Sequence, residues 1–331
     1  MDEVLKTNYP HLVLILIDGM GVNILKQHLD SNALLNKHYK RALNTVFPPT
    51  TVAATTALLS AKTPYETGFL GWTQYNKNAN VTETLFLEEE TITKTKVSNS
   101  LLKQLNYQSI IDKIKTKHPE MQVEKLAIKP LFNCDFETFS EQLNRALMNT
   151  FSQQSFTYLY YPLLDTLLHS VGTKDLKVSQ HLKDINNDYE KFIDEIADDV
   201  LVLTTADHGF VDVEIINLSY YPKLTKLLKR APSIESRSMT FFVKSLYKRK
   251  FKTLFKKYFN EDFNLYSKKE VKRLKLFGKG KKHPLFESFL GDFLAVAKTN
   301  KAFSLKNDNG LKAQHGGGLL EEFLIPLIIN K

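Results

Sequence analysis

The sequence predicts an α/β fold, a central and mostly parallel sheet with helices packed on its faces. Three observations carry that expectation. The runs Leu12 to Ile17, Phe156 to Tyr161 and Val200 to Leu203 are apolar and β-prone throughout, the pattern of strands buried on both faces. Helical patterns alternate with them, as in βαβ units. Each run also ends at or shortly before an aspartate, Asp18, Asp165 and Asp207, and open α/β sheets bind their ligands where the strands end.

Taken in order, a first strand over Leu12 to Ile17 leads through Gly19 and Gly21 into a helix expected from about Val22 to Leu35. A short strand near Leu43 to Phe47, the turn Pro48-Pro49 and an Ala/Thr/Leu-rich helix from about Val52 to Ser60 repeat the strand-then-helix rhythm. From about Phe69 to Pro130 the pattern is irregular and polar in places, so loops and substrate-facing excursions are expected. Helices over Phe136 to Phe151 and Asp175 to Asp198 then precede the second and third strands. Beyond His208, strands near Met239 to Val243 and Phe293 to Ala297 bracket a basic segment with helical stretches around Leu246 to Phe259. The expectation is one catalytic domain spanning residues 1–331, with a basic subdomain or cap at about 244–290.

Composition narrows the function. A chain of 331 residues with 43% hydrophobic content buries a substantial core. The lone cysteine, Cys134, excludes an internal disulfide framework and a cysteine-rich zinc site. The N-terminus lacks the basic and apolar regions of a secretory signal, and the longest apolar run is far short of the roughly 20 residues that span a bilayer, so a soluble, cytoplasmic protein is expected. The charge of +9 is concentrated: Lys244 to Lys282 holds fifteen Lys or Arg against three acidic residues, a net of +12, which leaves about −3 for the rest of the chain.

Five short islands carry the chemistry: Asp18, Thr51, Asp165 with His169, Asp207 with His208, and His315. Together they offer donors for two metal ions and a hydroxyl nucleophile, which points to metal-assisted phosphoryl or related ester transfer. Asp165 and His169 are four apart, one face of a helix and a workable bite for one metal; the plain structural alternative is a capping Asp with a half-buried His. Asp207-His208-Gly209 follows a strand directly, though Asp and Gly also form ordinary turns, and Asp18-Gly19 has the same alternative. His315-Gly-Gly-Gly reads otherwise as a flexible loop with an incidental histidine. Thr50 and Thr51 stand at a helix start, where a threonine commonly caps and where free N–H groups favour a phosphate.

The ordered set resembles the alkaline phosphatase superfamily, and within it the nucleotide pyrophosphatase/type I phosphodiesterase branch. The resemblance rests on Ile17-Asp18-Gly19-Met20, Phe47-Pro48 with Thr51, Thr63-Pro64-Tyr65-Glu66-Thr67-Gly68, Asp165 with His169, Ala206-Asp207-His208-Gly209 and Gln314-His315-Gly316. It implies an alkaline phosphatase-like three-layer α/β/α sandwich with a small cap or inserted region. It also implies two divalent ions, zinc by ligand type with manganese or iron also compatible, one held by Asp165, His169 and His315, the other by Asp18, Asp207, His208 and the Thr51 oxygen. Two such ions would clamp the entering and leaving oxygens of an in-line displacement, with Thr51 attacking to form a phospho-threonine that water cleaves. Aligning Phe47-Pro48 favours Thr51 over Thr50 as nucleophile.

The chain departs from the branch at one informative position. An Asn that helps hold a phosphate oxygen in that branch is replaced by Trp72, so another donor is needed, the Val52 backbone N–H or the Trp72 indole. Cys134 lacks the Pro and Arg that follow a sulfatase nucleophile, and the compact length argues against a phosphoglycerate mutase. A monoesterase usually needs a cationic clamp beside the metals, for which Lys62 and Arg237 are candidates, although a surface or salt-bridged role suits each of them. Phe69, Leu70, Trp72 and Tyr75 suit a planar or greasy leaving group, or simple core packing.

The expected activity is therefore a dinuclear metal-dependent hydrolase of phosphate esters, a phosphodiesterase or nucleotide pyrophosphatase. Its expected partners are a small phosphate ester or nucleotide and, through the basic segment 244–282, an anionic surface of nucleic acid or membrane, with no obligate protein partner. The alternatives are a phosphomonoesterase of the same superfamily, or a non-catalytic polyanion-binding protein using 244–282, where lysines interleave with Tyr247, Phe251, Phe255, Tyr258, Phe259, Phe263 and Tyr266. The plain reading of that segment is a solvated amphipathic face whose aromatics are core.

Overall fold

A computed structural model describes residues 9–128, 136–305 and 310–331; Cys134 lies outside them. The chain divides into two compact units, Met1–Asn44 with Gln108–Gly209 and Leu324–Lys331, and Thr45–Tyr107 with Phe210–Phe323. The basic stretch 244–282 belongs to the second unit.

The first unit is built on a six-stranded sheet in the order Tyr39–Asn44, Leu324–Asn330, Val200–Thr205, His11–Ile17, Ser155–Tyr161, Gln122–Ala127. Only Leu324–Asn330 runs against its neighbours; every other pairing is parallel. The three aspartate-bearing strands lie side by side in the middle, and almost every residue of them is buried, which is why they read as unbroken apolar runs. Their register sets the ends level: Ile17 pairs with Tyr161 and Leu16 with Thr205. The Asp18 backbone N–H continues that ladder, donating to the Tyr161 carbonyl at 2.9 Å.

Helices of this unit are laid down by their caps and apolar stripes. Ser109 and Asp112 form a capping box at the head of Ile110–Lys117, and Thr138 and Glu141 form one at the head of Phe139–Asn149. Leu176–Glu195 starts at Asp175, whose carboxylate accepts the Lys177 N–H, and buries Val178, Leu182, Ile185, Tyr189 and Phe192 along one stripe. The helix expected over Val22 to Leu35 is two, Val22–His28 and Leu34–Lys37. It breaks because Asp30-Ser31-Asn32 favours turns and because the His28 ring is held by Ser179 Oγ and the Thr173 carbonyl, each at 2.7 Å. The strand expected at Leu43 to Phe47 lies earlier, at Tyr39–Asn44, where it pairs with Leu324–Asn330.

The second unit holds an antiparallel seven-stranded sheet in the order Phe263–Ser267, Phe293–Ala297, Ser238–Phe241, Ser233–Ile234, Thr73–Asn76, Val81–Thr84, Glu89–Glu90. The irregular stretch after Phe69 thus contains a hairpin, Thr73–Asn76 with Val81–Thr84. Its polar side chains are buried and used: Asn76 Nδ2 donates to Glu83, whose carboxylate also accepts the Leu101 N–H. Short strands pair Glu214–Asn217 with Lys301–Ser304 and Val211–Asp212 with Ala313–Gln314.

Two apolar clusters hold this unit together. One gathers Val52, Phe69, Leu70, Phe277, Phe286 and Phe289. The other is aromatic, with helix Lys248–Phe259 burying Phe251, Phe255 and Phe259 against Phe241, Phe263, Phe293 and Phe303. Tyr75 is buried, and Trp72 packs half-buried against the first cluster. Among the described residues, no helix is long and apolar enough to cross a membrane.

Phe255 is the centre of the aromatic cluster, its ring meeting those of Phe241, Phe251, Phe259, Phe263 and Phe303 at centroid distances of 5.2–6.5 Å. Phe255→Ala is expected to destabilise the protein by about 3–5 kcal/mol, read as a fall in the urea midpoint. A change within ordinary surface scatter, about 0.5 kcal/mol, would show that the cluster is not a core.

Candidate active site

In the first unit, the aligned strand ends deliver Asp18, Asp165, Asp207 and His208 to one place. Asp18 follows its strand directly, and Asp207 follows its strand after one residue. Asp165 and His169 stand one turn apart on helix Leu163–Val171, with Nε2 of His169 at 3.5 Å from Asp165 Oδ1. Nε2 of His208 lies 3.4 Å from Asp18 Oδ1 and 3.5 Å from Asp207 Oδ2. Asp18, Asp165 and His208 each offer a ligand atom within 4.8 Å of the others.

The surroundings fix these groups. Oδ1 of Asp207 accepts the backbone N–H of Gly19 at 3.1 Å and of His208 at 3.0 Å, so the two strand ends are tied to each other. Gly21 is required where the helix leaves the site: a Cβ there would stand 2.4 Å from Gly209 Cα. The Tyr160 hydroxyl, one strand away, donates to Asp18 Oδ2. Sequence reasoning missed Tyr160, which resembles any other member of an apolar strand; only the register, which sets it opposite Leu16, brings it beside Asp18.

Burial makes this arrangement costly without a cation. Asp18 and Asp207 are almost fully buried and His208 is fully so. Burial lifts the Asp18 carboxyl well above the usual range, the charges of Asp207 and Asp165 lift it further, and the Tyr160 hydrogen bond opposes them. Burial also raises Asp165, with His169 and His208 pulling down and Asp207 pushing up. Tyr160 is pushed far above the ordinary phenol value by burial and by Asp18. Clustered carboxylates that resist ionisation, with imidazole nitrogen among them, are the donor set of a divalent cation site, and the residues present fit that group.

The second unit carries Thr51 and His315. Thr51 opens helix Thr51–Ser60, and both Thr50 and Thr51 are buried. Thr50 is the N-cap residue but makes no side-chain cap bond; its hydroxyl donates instead to Glu235 Oε1 at 2.7 Å. The same carboxylate oxygen accepts the Trp72 backbone N–H at 2.6 Å, and the Trp72 ring packs edge-on to Phe86 at 6.3 Å. Glu235 follows Ile234, whose φ of 83° puts a buried β-branched residue in the left-handed region, a strain of about 1–3 kcal/mol. Sequence reasoning missed Glu235 because nothing in Ser-Ile-Glu-Ser separates it from a loop acid.

The His315 loop is held firmly. Nδ1 of His315 donates to the Pro49 carbonyl at 3.1 Å, which in the neutral ring leaves the lone pair on Nε2, the tautomer a metal ligand needs. Phe210 packs edge-on to the ring at 5.1 Å. The glycines that follow serve close packing: a Cβ on Gly317 would lie 2.7 Å from Glu322 Oε2 and 2.8 Å from Arg237 Nη2. Glu322 accepts the Gly317 and Leu319 N–H groups at 2.6 and 3.0 Å. Arg237, fully buried, forks onto both oxygens of Glu322 at 2.8 and 2.9 Å and donates to the carbonyls of Lys301 and Thr299. Arg237 is thereby committed to a salt bridge, and Lys62 is exposed.

A family model described as type I phosphodiesterase / nucleotide pyrophosphatase matches residues 12–318. A search of curated proteins gives no match. Among solved structures, murine ectonucleotide pyrophosphatase / phosphodiesterase 5 is 15% identical, with 96% of this chain and 87% of that chain covered and a TM-score of 0.70. An inactive variant of the murine protein, in complex with AMP, matches at a TM-score of 0.68 with 15% identity over 96% of this chain and 87% of that chain. Phosphonoacetate hydrolase from Sinorhizobium meliloti 1021, in complex with phosphonoformate, is 13% identical over 97% of this chain and 90% of that chain, with a TM-score of 0.68. At these identities the structural likeness establishes the fold, α/β with a central mostly parallel sheet.

A carboxyl whose folded pKa lies above its unfolded value of about 3.9 stabilises the fold below that value, and the contribution is lost as pH rises through the folded pKa. Asp18 is such a group. Metal-free Asp18→Asn is therefore expected to melt above the metal-free parent near neutral pH, by a margin that closes as pH falls toward about 4. Melting curves in chelator at the two pH values check this; a variant less stable than its parent at both would contradict the burial argument.

Proposed function

The chain belongs to the type I phosphodiesterase / nucleotide pyrophosphatase family, which supports a phosphoester hydrolase, and from that premise we propose a dinuclear metal-dependent phosphodiesterase or nucleotide pyrophosphatase with Thr51 as nucleophile. The observation that carries the proposal is the convergence of buried Asp18 and His208 with half-buried Asp165 within 4.8 Å. In this reading Asp18, Asp207, His208 and the Thr51 oxygen hold one ion, and Asp165, His169 and His315 hold the other. Zinc suits the nitrogen and carboxylate donors, as do manganese and iron. When bound, two divalent cations supply the charge that lowers the pKa of an attacking hydroxyl and stabilises a departing oxygen.

The chain's own groups do the rest. Thr51 is presented at the first turn of its helix, where N–H groups and the positive end of the helix dipole favour a phosphate oxygen. The Thr51 Oγ–P bond forms as the bond to the leaving alcohol or phosphate breaks, and water then cleaves the phospho-threonine. Thr50 is set aside from this role by its bond to Glu235. Tyr160 keeps Asp18 turned into the cluster, and Glu322 with Arg237 keeps the loop after His315 in place.

Two features favour diesters over monoesters. Arg237 and Lys62, the cations considered as clamps for a doubly charged phosphoryl group, are respectively paired and exposed. A carboxylate, Glu235, stands beside the Thr50-Thr51 helix start and the Trp72 backbone, so a dianionic group would meet repulsion where it most needs attraction. The AMP complex of the murine relative supports a nucleotide among the substrates. The single cysteine is compatible with work in the reducing cytoplasm.

With zinc added, bis-p-nitrophenyl phosphate is expected to turn over faster than p-nitrophenyl phosphate. Thr51→Ala is expected to lower diester turnover at least a thousandfold, on the order of losses at catalytic nucleophiles, while Thr50→Ala retains measurable turnover and both variants bind metal. Near-normal turnover by Thr51→Ala would remove Thr51 as nucleophile, and a preference for the monoester would replace the phosphodiesterase reading with a phosphatase.

A further inference from the structure

Helix Lys248–Phe259 divides its side chains sharply. Phe251, Phe255 and Phe259, at every fourth position, are buried in the aromatic core, while the six cations Lys248, Arg249, Lys250, Lys252, Lys256 and Lys257 are all exposed. Lys248 pairs with Asp292 at 2.6 Å. Among the described residues, the other five form no ion pair within 4 Å. Of the cations that follow, Lys268, Lys272 and Lys282 converge on Glu287.

The placement of charge opposes helix stability. Lys248, Arg249 and Lys250 occupy the first turn, which holds no acid, so three cations face the positive end of the helix dipole. The fold compensates Lys248 through Asp292 but, among the described residues, leaves Arg249 and Lys250 without an ion pair, and an external anion would supply one.

The aromatics decide which anion. Base stacking needs rings on the outer face, but Phe251, Phe255, Phe259 and Phe263 are core, and the half-buried Tyr258 packs on Tyr221 at 5.2 Å. What does project is apolar and at the head of the helix: Leu246 is 93% exposed and Tyr247 43%. An aliphatic tip and a tyrosine close to the unpaired Arg249 and Lys250 match the interfacial zone of a bilayer, where headgroups take the charge and the acyl boundary takes the apolar tip.

We propose that the outer face of Lys248–Phe259, about 18 Å long, with Leu246 and Tyr247 at its head, docks the protein on an anionic phospholipid surface. The phenylalanine face stays in the core, so the contact is electrostatic, reversible and salt-sensitive, with Leu246 as the apolar wedge.

The test is co-sedimentation of the full chain with phosphatidylcholine vesicles, with or without phosphatidylglycerol, at about 0.05 M and about 0.5 M salt. Binding is expected only to the mixed vesicles and only at low salt. Each cation near such a surface contributes roughly fivefold in affinity, so Lys250→Glu/Lys256→Glu/Lys257→Glu is expected to lose more than a hundredfold, and Leu246→Ser severalfold, with hydrolysis of a soluble diester unchanged in both. Absence of binding to the mixed vesicles, or equal binding to neutral ones, overturns the proposal. So does duplex DNA displacing the vesicles while Leu246→Ser has no effect, the result expected of a nucleic-acid face.

Discussion

Asp18 and Asp207 are buried together, with Asp165 beside them, and the rest of the first unit is arranged around that like-charge contact. Side by side in a low-dielectric setting, carboxylates do not all ionise unless positive charge joins them. The parallel register makes the crowding unavoidable, because pairing Ile17 with Tyr161 and Leu16 with Thr205 brings the strand ends level. The backbone bonds from Gly19 and His208 to Asp207 then remove the freedom by which the groups would separate. A site that holds its charges together before any ligand arrives is preorganised for a cation.

The second unit solves a different problem, holding irregular backbone still. The Arg237–Glu322 pair is fully buried, and such a pair adds little stability over a well-packed apolar one. What it does here is specific: Glu322 collects two N–H groups of the loop after His315, and Arg237 collects two carbonyls on the other side. Gly317 leaves room for both. Glu235 plays the matching part at the start of helix Thr51–Ser60, held next to a strained Ile234 and receiving Thr50 and Trp72. Strain and buried charge in one small region are expected where function constrains the fold.

The three aspartate strands were legible because a strand covered on both faces needs unbroken apolar side chains, and Asp18, Asp165 and Asp207 stood out at their ends. Helices with strong caps were legible too, as at Asp175. The seven-stranded sheet was not, since strands such as Glu89–Glu90 and Ser233–Ile234 are too short to show a period and the Thr73–Asn76 hairpin hides its polar side chains by bonding them to one another. Arg237 and Glu322 are 85 residues apart, so their pairing leaves no local trace. The aromatics of the basic segment illustrate the limit of composition: spacing alone allows either stacking rings or core, and burial of Phe251, Phe255 and Phe259 decides for core.

Metal counting tests whether the carboxylate cluster around Asp18 is a metal centre. The purified protein, stripped with chelator and dialysed against zinc, is expected to retain two ions per chain by elemental analysis, and Asp18→Asn is expected to retain fewer while staying folded by circular dichroism. A folded parent that retains no zinc, manganese or iron would rule out a metal centre at these residues.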